Sequence, residues 1–138
     1  MKIIALLIAL LIVGCSRYAT IDQEAHGDQV AKAVIVSFLP IGPGGLYTGD
    51  YRQVWQISRD EDAERRFVEM IERENIADAL YGLMGLKIIN SEAFSLHAQN
   101  LSSRPEEVRY GRGCIIMNRS AQAVIQSIDQ ADLPEPRW

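Results

Sequence analysis

The run ALYGLMGLKII, Ala79 to Ile89, constrains the fold more than any other stretch, because Lys87 is its one charged residue. With Asn75 as a cap, it predicts a helix over 76–89 that is apolar nearly all round, Asp78 being the only other charge. A helix without a polar face belongs in the middle of a domain, surrounded by other elements. Gly82 and Gly85 each cost about 1 kcal/mol relative to alanine inside a helix, so the packing must offset them. Close approach of a neighbouring helix is the simplest account; a ligand lying in the glycine groove is the functional alternative.

The flanking segments supply neighbours for that helix. Ser58 followed by Glu61 has the pattern of a capping box, and Asp60, Glu61 and Asp62 put negative charge where a helix N-terminus favours it. The helix expected from there carries Ala63, Phe67, Met70 and Ile71 on one face. Glu61 with Arg65, Asp62 with Arg66 and Glu69 with Arg73 form i,i+4 pairs on the other. So many carboxylates suggest a metal or acid/base site, yet each has an arginine within one turn, which is the pattern of a solvated face. Tyr51 to Ile57 is expected to give one or two helical turns burying Val54, Trp55 and Ile57. Beyond the central helix, Asn90 and Ser91 offer caps for another, with Glu92 in its first turn and Phe94, Ala98 and Leu101 in line. His97 borders that line, where a histidine is usually structural and a catalytic or metal role is the alternative.

The periodicity changes near the C-terminus. In VRYGRGCIIM, residues Val108, Tyr110, Cys114 and Ile116 alternate about Gly111-Arg112-Gly113, which predicts a small β-hairpin lying on the helices. Ser120 then caps a last helix with Ala121, Val124, Ile125 and Ile128 on one face, and Leu133-Pro134-Glu135-Pro136 ends it in an extended tail. Upstream, Val30 to Leu39 mixes β-branched residues with Val30, Val34 and Phe38 at helical spacing. Helix is the expectation, stopped at Pro40. Pro40 to Asp50, with four glycines and two prolines, is a loop. It is no P-loop, since Leu46 and Tyr47 stand where a lysine and a hydroxyl are required. It reads as a connector, with a recognition loop presenting Tyr47 as the alternative. Together these signals predict a mainly α fold: a compact antiparallel helix stack, similar to a short HEAT-like unit, as a single domain over 30–131 with a tail at 132–138.

The N-terminus sets the compartment. Lys2, an unbroken apolar run from Ile3 to Val13 and Gly14 have the layout of a secretory signal, too short to span a bilayer. Ile12-Val13-Gly14-Cys15 resembles the lipobox of bacterial prolipoproteins. The resemblance implies a signal peptide over 1–14 and lipid on Cys15 as the first mature residue, and Ser16 after it implies sorting to the outer membrane, facing the periplasm. Acyl chains contribute about 0.8 kcal/mol per buried methylene, so a multiply acylated cysteine anchors stably. The polar stretch to Gln29, with a lone His26, is then a tether. The formal net charge of −4 falls to about −5 when Lys2 leaves with the signal. That balance argues against nucleic acid and against electrostatic adhesion to anionic lipid, both of which need a basic face.

Lipid on the sulfur of Cys15 would leave Cys114 as the second of only two cysteines, either buried as an inert thiol or paired with another molecule. The combination of LYGLMGL with GCII is also similar to a loose group of small, uncharacterised bacterial exported proteins. In some of them a cysteine at the place of Met84 would bridge to the equivalent of Cys114. Here the comparison implies that Met84 fills the bridge's volume and Cys114 is a buried thiol beside it.

No HExxH, GxSxG or metal-spaced cysteines occur, and neither a metal nor a cofactor is expected. The leading expectation is a non-enzymatic envelope lipoprotein, a membrane-anchored module that binds another envelope protein. One alternative is a thiol-dependent enzyme with Cys114 as nucleophile, His97 as base and Arg109 or Arg112 lowering the thiol pKa. Another is an immunity or inhibitor lipoprotein whose acidic balance suits a basic target.

Overall fold

Residues 35–42 and 44–136 are described by the structure, a computed structural model. The signal over 1–14, Cys15, the tether with His26, and Val30 and Val34 all lie outside the described residues. Among the described residues the order is β1 (Ile35–Val36), α1 (Gly49–Ile57), α2 (Ala63–Ile71), α3 (Ile76–Ile88), α4 (Ala93–Ser102), β2 (Glu107–Arg112), β3 (Ile115–Ser120) and α5 (Ala121–Gln130). About half of these residues are helical, so the fold is mainly α with a small three-stranded sheet.

The centre is α3. Asn75 Oδ1 accepts the Ala77 N–H at 2.9 Å and starts it, and every residue from Ala79 to Leu86 is buried. It ends on Asn90 at φ 52°. The Ser91 N–H reaches Leu86 O at 2.9 Å and the Asn90 N–H reaches Lys87 O at 3.0 Å, a Schellman closure with asparagine in the left-handed position. Helices α1, α2, α4 and α5 and strand β1 all pack on it, α2 most extensively.

The two α3 glycines make that packing possible. A Cβ on Gly82 would stand 2.7 Å from Phe67 O, and one on Gly85 would stand 2.3 Å from Phe67 Cδ1 and Cε1. The α2 backbone and the fully buried Phe67 ring therefore occupy the room that side chains would take.

Several local expectations are corrected by tertiary contacts. Ser58 does not open α2: it closes α1, its Oγ donating to Trp55 O at 2.8 Å, and α2 begins at Ala63 with no side-chain cap. The charged pairs also differ in partner from those expected, only Arg65–Glu69 keeping i,i+4 spacing. Arg65 bonds both Asp62 and Glu69, Arg66 bonds Asp60, and Arg73 reaches Asp78 across to α3 at 3.3 Å. Ile35–Val36 is a strand, not a helix, because it finds a sheet partner: it pairs in parallel with Arg109–Tyr110.

The hydroxyl of the buried Tyr81 holds β1 to α3. It donates to Ile35 O at 2.9 Å, accepts the Ser37 N–H at 3.2 Å and meets Thr48 Oγ1 at 3.2 Å. Thr48 Oγ1 accepts the Tyr51 N–H and so caps α1 as well. The tail is not free. Tyr51 Oη donates to Pro134 O at 2.8 Å, and Leu133 and Pro136 are buried.

The sheet has the order β1-β2-β3, parallel then antiparallel. The hairpin turns at Gly113–Cys114, with Gly113 at φ 59°, and not about Gly111 to Gly113. Gly111 lies inside β2, where a Cβ would press on Ile35 Cγ2 at 3.0 Å and Ile41 Cγ2 at 3.1 Å. Ser120 Oγ accepts the Ala123 N–H at 3.3 Å and starts α5, whose Ala121, Val124, Ile125 and Ile128 are buried.

Candidate functional site

Among the described residues, four of the five exposed large apolar side chains lie around the hairpin turn; the fifth, Leu96, stands apart on α4. Ile115, Ile116 and Met117 are 59%, 37% and 40% exposed, and Leu46 is 63% exposed. Leu46 belongs to that end because Ile41 pairs with it on one side and with Gly113 on the other, and the Gly42 N–H bonds Gly113 O at 2.9 Å. Monomeric proteins seldom leave contiguous apolar surface open without an interaction to use it.

The register explains why these side chains are uncovered. Arg112 faces Ile115, Tyr110 faces Met117 and Val108 faces Arg119, so Ile115 and Met117 share the face of the buried Val108 and Tyr110. Helix α5 packs against that face, and the turn end carrying Ile115 and Met117 overhangs. Ile116 faces Gly111 and Asn118 faces Arg109 on the opposite face. Strand β3 is the outer strand of the sheet among the described residues, and nearly all of it is exposed.

A two-residue hairpin turn closes on a pair that exchanges both backbone hydrogen bonds, and bonded and non-bonded pairs then alternate. The backbone groups of Ile116 and Asn118 therefore point away from β2, to the side on which no strand pairs among the described residues. The carbonyl of Gly111, opposite Ile116, correspondingly turns to the other side and accepts from Ser37 Oγ at 2.8 Å.

Of the arginines on the hairpin only Arg112 lies at the turn end, in a groove it shares with Asp132. From Val108 to Ser120 the chain has three arginines and no carboxylate, within a protein of net charge −4. Arg112 is exposed; the Arg119 guanidinium lies over the Tyr110 ring, 5.5 Å from its centroid.

The other sites suggested by sequence fare differently. Cys114 is exposed in the turn and is disulfide-bonded; Cys15, the other cysteine of the chain, lies outside the described residues. The expectation of a buried thiol beside Met84 is thus corrected: Met84 is fully buried in α3, while the strand phase carries Cys114 out into the turn. His97 is half-buried on α4. Tyr47 is not presented by its loop but stacks on Tyr51, with centroids 5.4 Å apart and planes 19° from parallel. Among the described residues, no group of three or more histidine, cysteine, aspartate or glutamate side chains is placed to hold a metal.

A polar cleft of about 150 Å³ lies between α1, α2 and α3, lined in part by Asp50, Arg66, Glu69, Arg73, Asp78 and Tyr81. Its Arg66, Glu69, Arg73 and Asp78 are engaged in the ion pairs described above. Burial pushes the Tyr81 phenol up to about 12, so it stays a neutral hydrogen-bonding group and not a base at neutral pH.

Alternation alone hides this edge, because it sets Cys114 and Ile116 inward whereas the register puts Ile115 and Met117 on the face of Tyr110. Three successive apolar residues, Ile115-Ile116-Met117, cannot all face one side of a two-sided strand, and that was the signal. No protein-family model, curated protein or solved structure matches this chain.

Proposed function

We propose that the protein is a lipid-anchored module of the bacterial envelope, held through Cys15 in the outer membrane and facing the periplasm, that binds another envelope protein at the open edge of β3. The observation that carries the binding part is the coincidence of an edge with no strand partner among the described residues and the exposed Ile115, Ile116 and Met117. The lipobox-like Ile12-Val13-Gly14-Cys15 supports the anchor. The helices read best as a short HEAT-like stack serving as scaffold, with α2 seated on α3 through its glycines. An enzyme built on a Cys114 thiolate has less support, because Cys114 is disulfide-bonded and a disulfide sulfur is not a thiolate nucleophile; Cys15 is the chain's one other cysteine, so the lipid-anchored form is one in which that disulfide is not made to Cys15.

Two measurements test this reading. Cys15→Ser is expected to release the protein from the membrane fraction, and a variant that still pellets with lipid removes the anchor. A photo-crosslinking residue at position 116 is expected to capture an envelope protein that the same residue at Glu72, at the end of α2, does not. Equal capture from both positions, or none, removes the binding site.

A further inference from the structure

We propose that the groove between β2 and the C-terminal end of α5 binds a small zwitterion of dipeptide size, its carboxylate held by Tyr110 and Arg112 and its ammonium by Asp132. This site lies on the α5 side of the hairpin and does not depend on the binding reading above.

The groove has a volume of about 260 Å³. Pockets for drug-sized molecules begin at about 300 Å³, so a ligand here is small. Its floor is apolar. Phe38 and Leu39 follow β1, Tyr110 meets Phe38 with ring centroids 5.9 Å apart, and Ala131 comes from the end of α5.

One side of the groove suits an anion. Tyr110 and Arg112 share the face of β2 that looks toward α5. Tyr110 is only 4% exposed, yet its hydroxyl bonds to no described residue and is not sealed from solvent. A polar group on so buried a residue ordinarily has a partner, and here the groove is where one can reach it. Burial raises the phenol above its usual value while the charges of Arg112 and Arg119 work the other way, leaving a neutral O–H beside two cations at neutral pH. Arg119 is already engaged, its guanidinium over the Tyr110 ring and its Nη1 3.4 Å from Ser127 Oγ. Arg112 is exposed and has no ion-pair partner among the described residues. A carboxylate would accept from the phenol and make a charge-assisted bond to Arg112.

The other side suits a cation. Asp132 stands two residues past the end of α5, where the helix dipole is negative, and the last turn of α5 has no basic residue. Cations are favoured at such a terminus and an added carboxylate is not. Lys87 is taken up by Asp129, and Asp132 has no ion-pair partner among the described residues. Arg112 and Asp132 thus line one groove without pairing to each other. A molecule carrying both charges satisfies both, whereas a simple anion or cation leaves one unmet.

The test titrates the full chain with alanyl-leucine, N-acetyl-alanyl-leucine and alanyl-leucinamide, read by calorimetry and by amide chemical shifts. Alanyl-leucine should bind saturably, with shifts centred on Tyr110, Arg112 and Asp132, and each blocked peptide should bind at least about tenfold more weakly. Asp132→Asn should weaken alanyl-leucine at least about tenfold while changing the acetylated peptide less than about twofold, and Arg112→Gln should behave likewise with the amidated one. Both residues are exposed, so neither variant threatens the fold. Tyr110→Phe, which deletes only the hydroxyl, should weaken alanyl-leucine about fivefold. Absence of saturable binding, shifts centred elsewhere, or equal affinity for the three peptides overturns the proposal. So does an Asp132→Asn loss as large for the acetylated peptide as for the free one, since the carboxylate would then not be meeting an ammonium. Crosslinking from position 116 reads a different surface, so either result can fail without the other.

Discussion

Replacing Gly85 by alanine tests the packing on which the whole fold is built. The substitution ordinarily favours a helix, by about 1 kcal/mol. Here the added methyl would stand 2.3 Å from two ring carbons of Phe67 and 2.5 Å from a third, against an ordinary contact of 3.4–4 Å. The ring is fully buried and part of the main core, so it cannot swing into solvent; α2 and α3 must separate by roughly 1 Å. Overpacking of this kind costs typically 1–3 kcal/mol, and an overlap against a rigid ring belongs at or above the top of that range. Net of the helical gain, Gly85→Ala should destabilise the protein by about 2 kcal/mol, lowering Tm by roughly 10 °C for a body of this size. Gly49→Ala is the matched control. Gly49 is the first residue of α1, and a Cβ there meets nothing within 4 Å, so alanine should raise stability by about 0.5 kcal/mol. Thermal unfolding followed by far-UV circular dichroism reads both. A Gly85→Ala protein that melts no lower than its parent would refute the close seating of α2 on α3.

Burial pushes the Tyr51 and Tyr81 phenols from 10.0 up to about 12. Folding thus favours their protonated forms, and the stability this lends is complete below about pH 10 and lost as pH rises toward about 12. Tyrosinate absorbance should therefore rise together with loss of helical signal, and ionisation of all tyrosines near pH 10 with the fold intact would contradict it. Tyr81→Phe strands the Ser37 N–H and removes the bond to Ile35 O, and should cost about 1–3 kcal/mol by urea titration. Ser120→Ala removes the acceptor for the Ala123 N–H and should cost about 1 kcal/mol, an unchanged midpoint arguing that water replaces the cap. Intact mass of membrane-extracted protein is expected to carry acyl mass on Cys15. A chain that gains only hydrogen on reduction and bears no acyl group would show that this sulfur serves a disulfide instead.

Most of the helical scaffold was legible in the residues because its signals are local. Asn75 and Ser120 cap where expected, and the apolar face of α5 is the one its spacing gives. Ser58 misled because a serine between two helices can bond forward as an N-cap or back to Trp55 O, and the choice depends on where α2 packs. Ile35–Val36 misled for a related reason. Two residues carry too little periodicity to declare a strand, and only β2, more than seventy residues away, makes them one. The candidate site was the least legible part. A shift of the hairpin turn to Gly113–Cys114 changes which side chains face inward, and a one-residue change of phase inverts a strand.

What the sequence by itself determined is the central helix, its caps and its need for a close neighbour, because an apolar surface on all sides and two interior glycines admit few other arrangements. The tertiary structure alone decided that the neighbour is Phe67 on α2, that β1 joins β2, and that Ile115, Ile116 and Met117 remain uncovered at the sheet's outer edge. Those outcomes depend on which elements reach one another across the chain. Local spacing records what a residue can pair with, and only the packed molecule fixes what it does pair with.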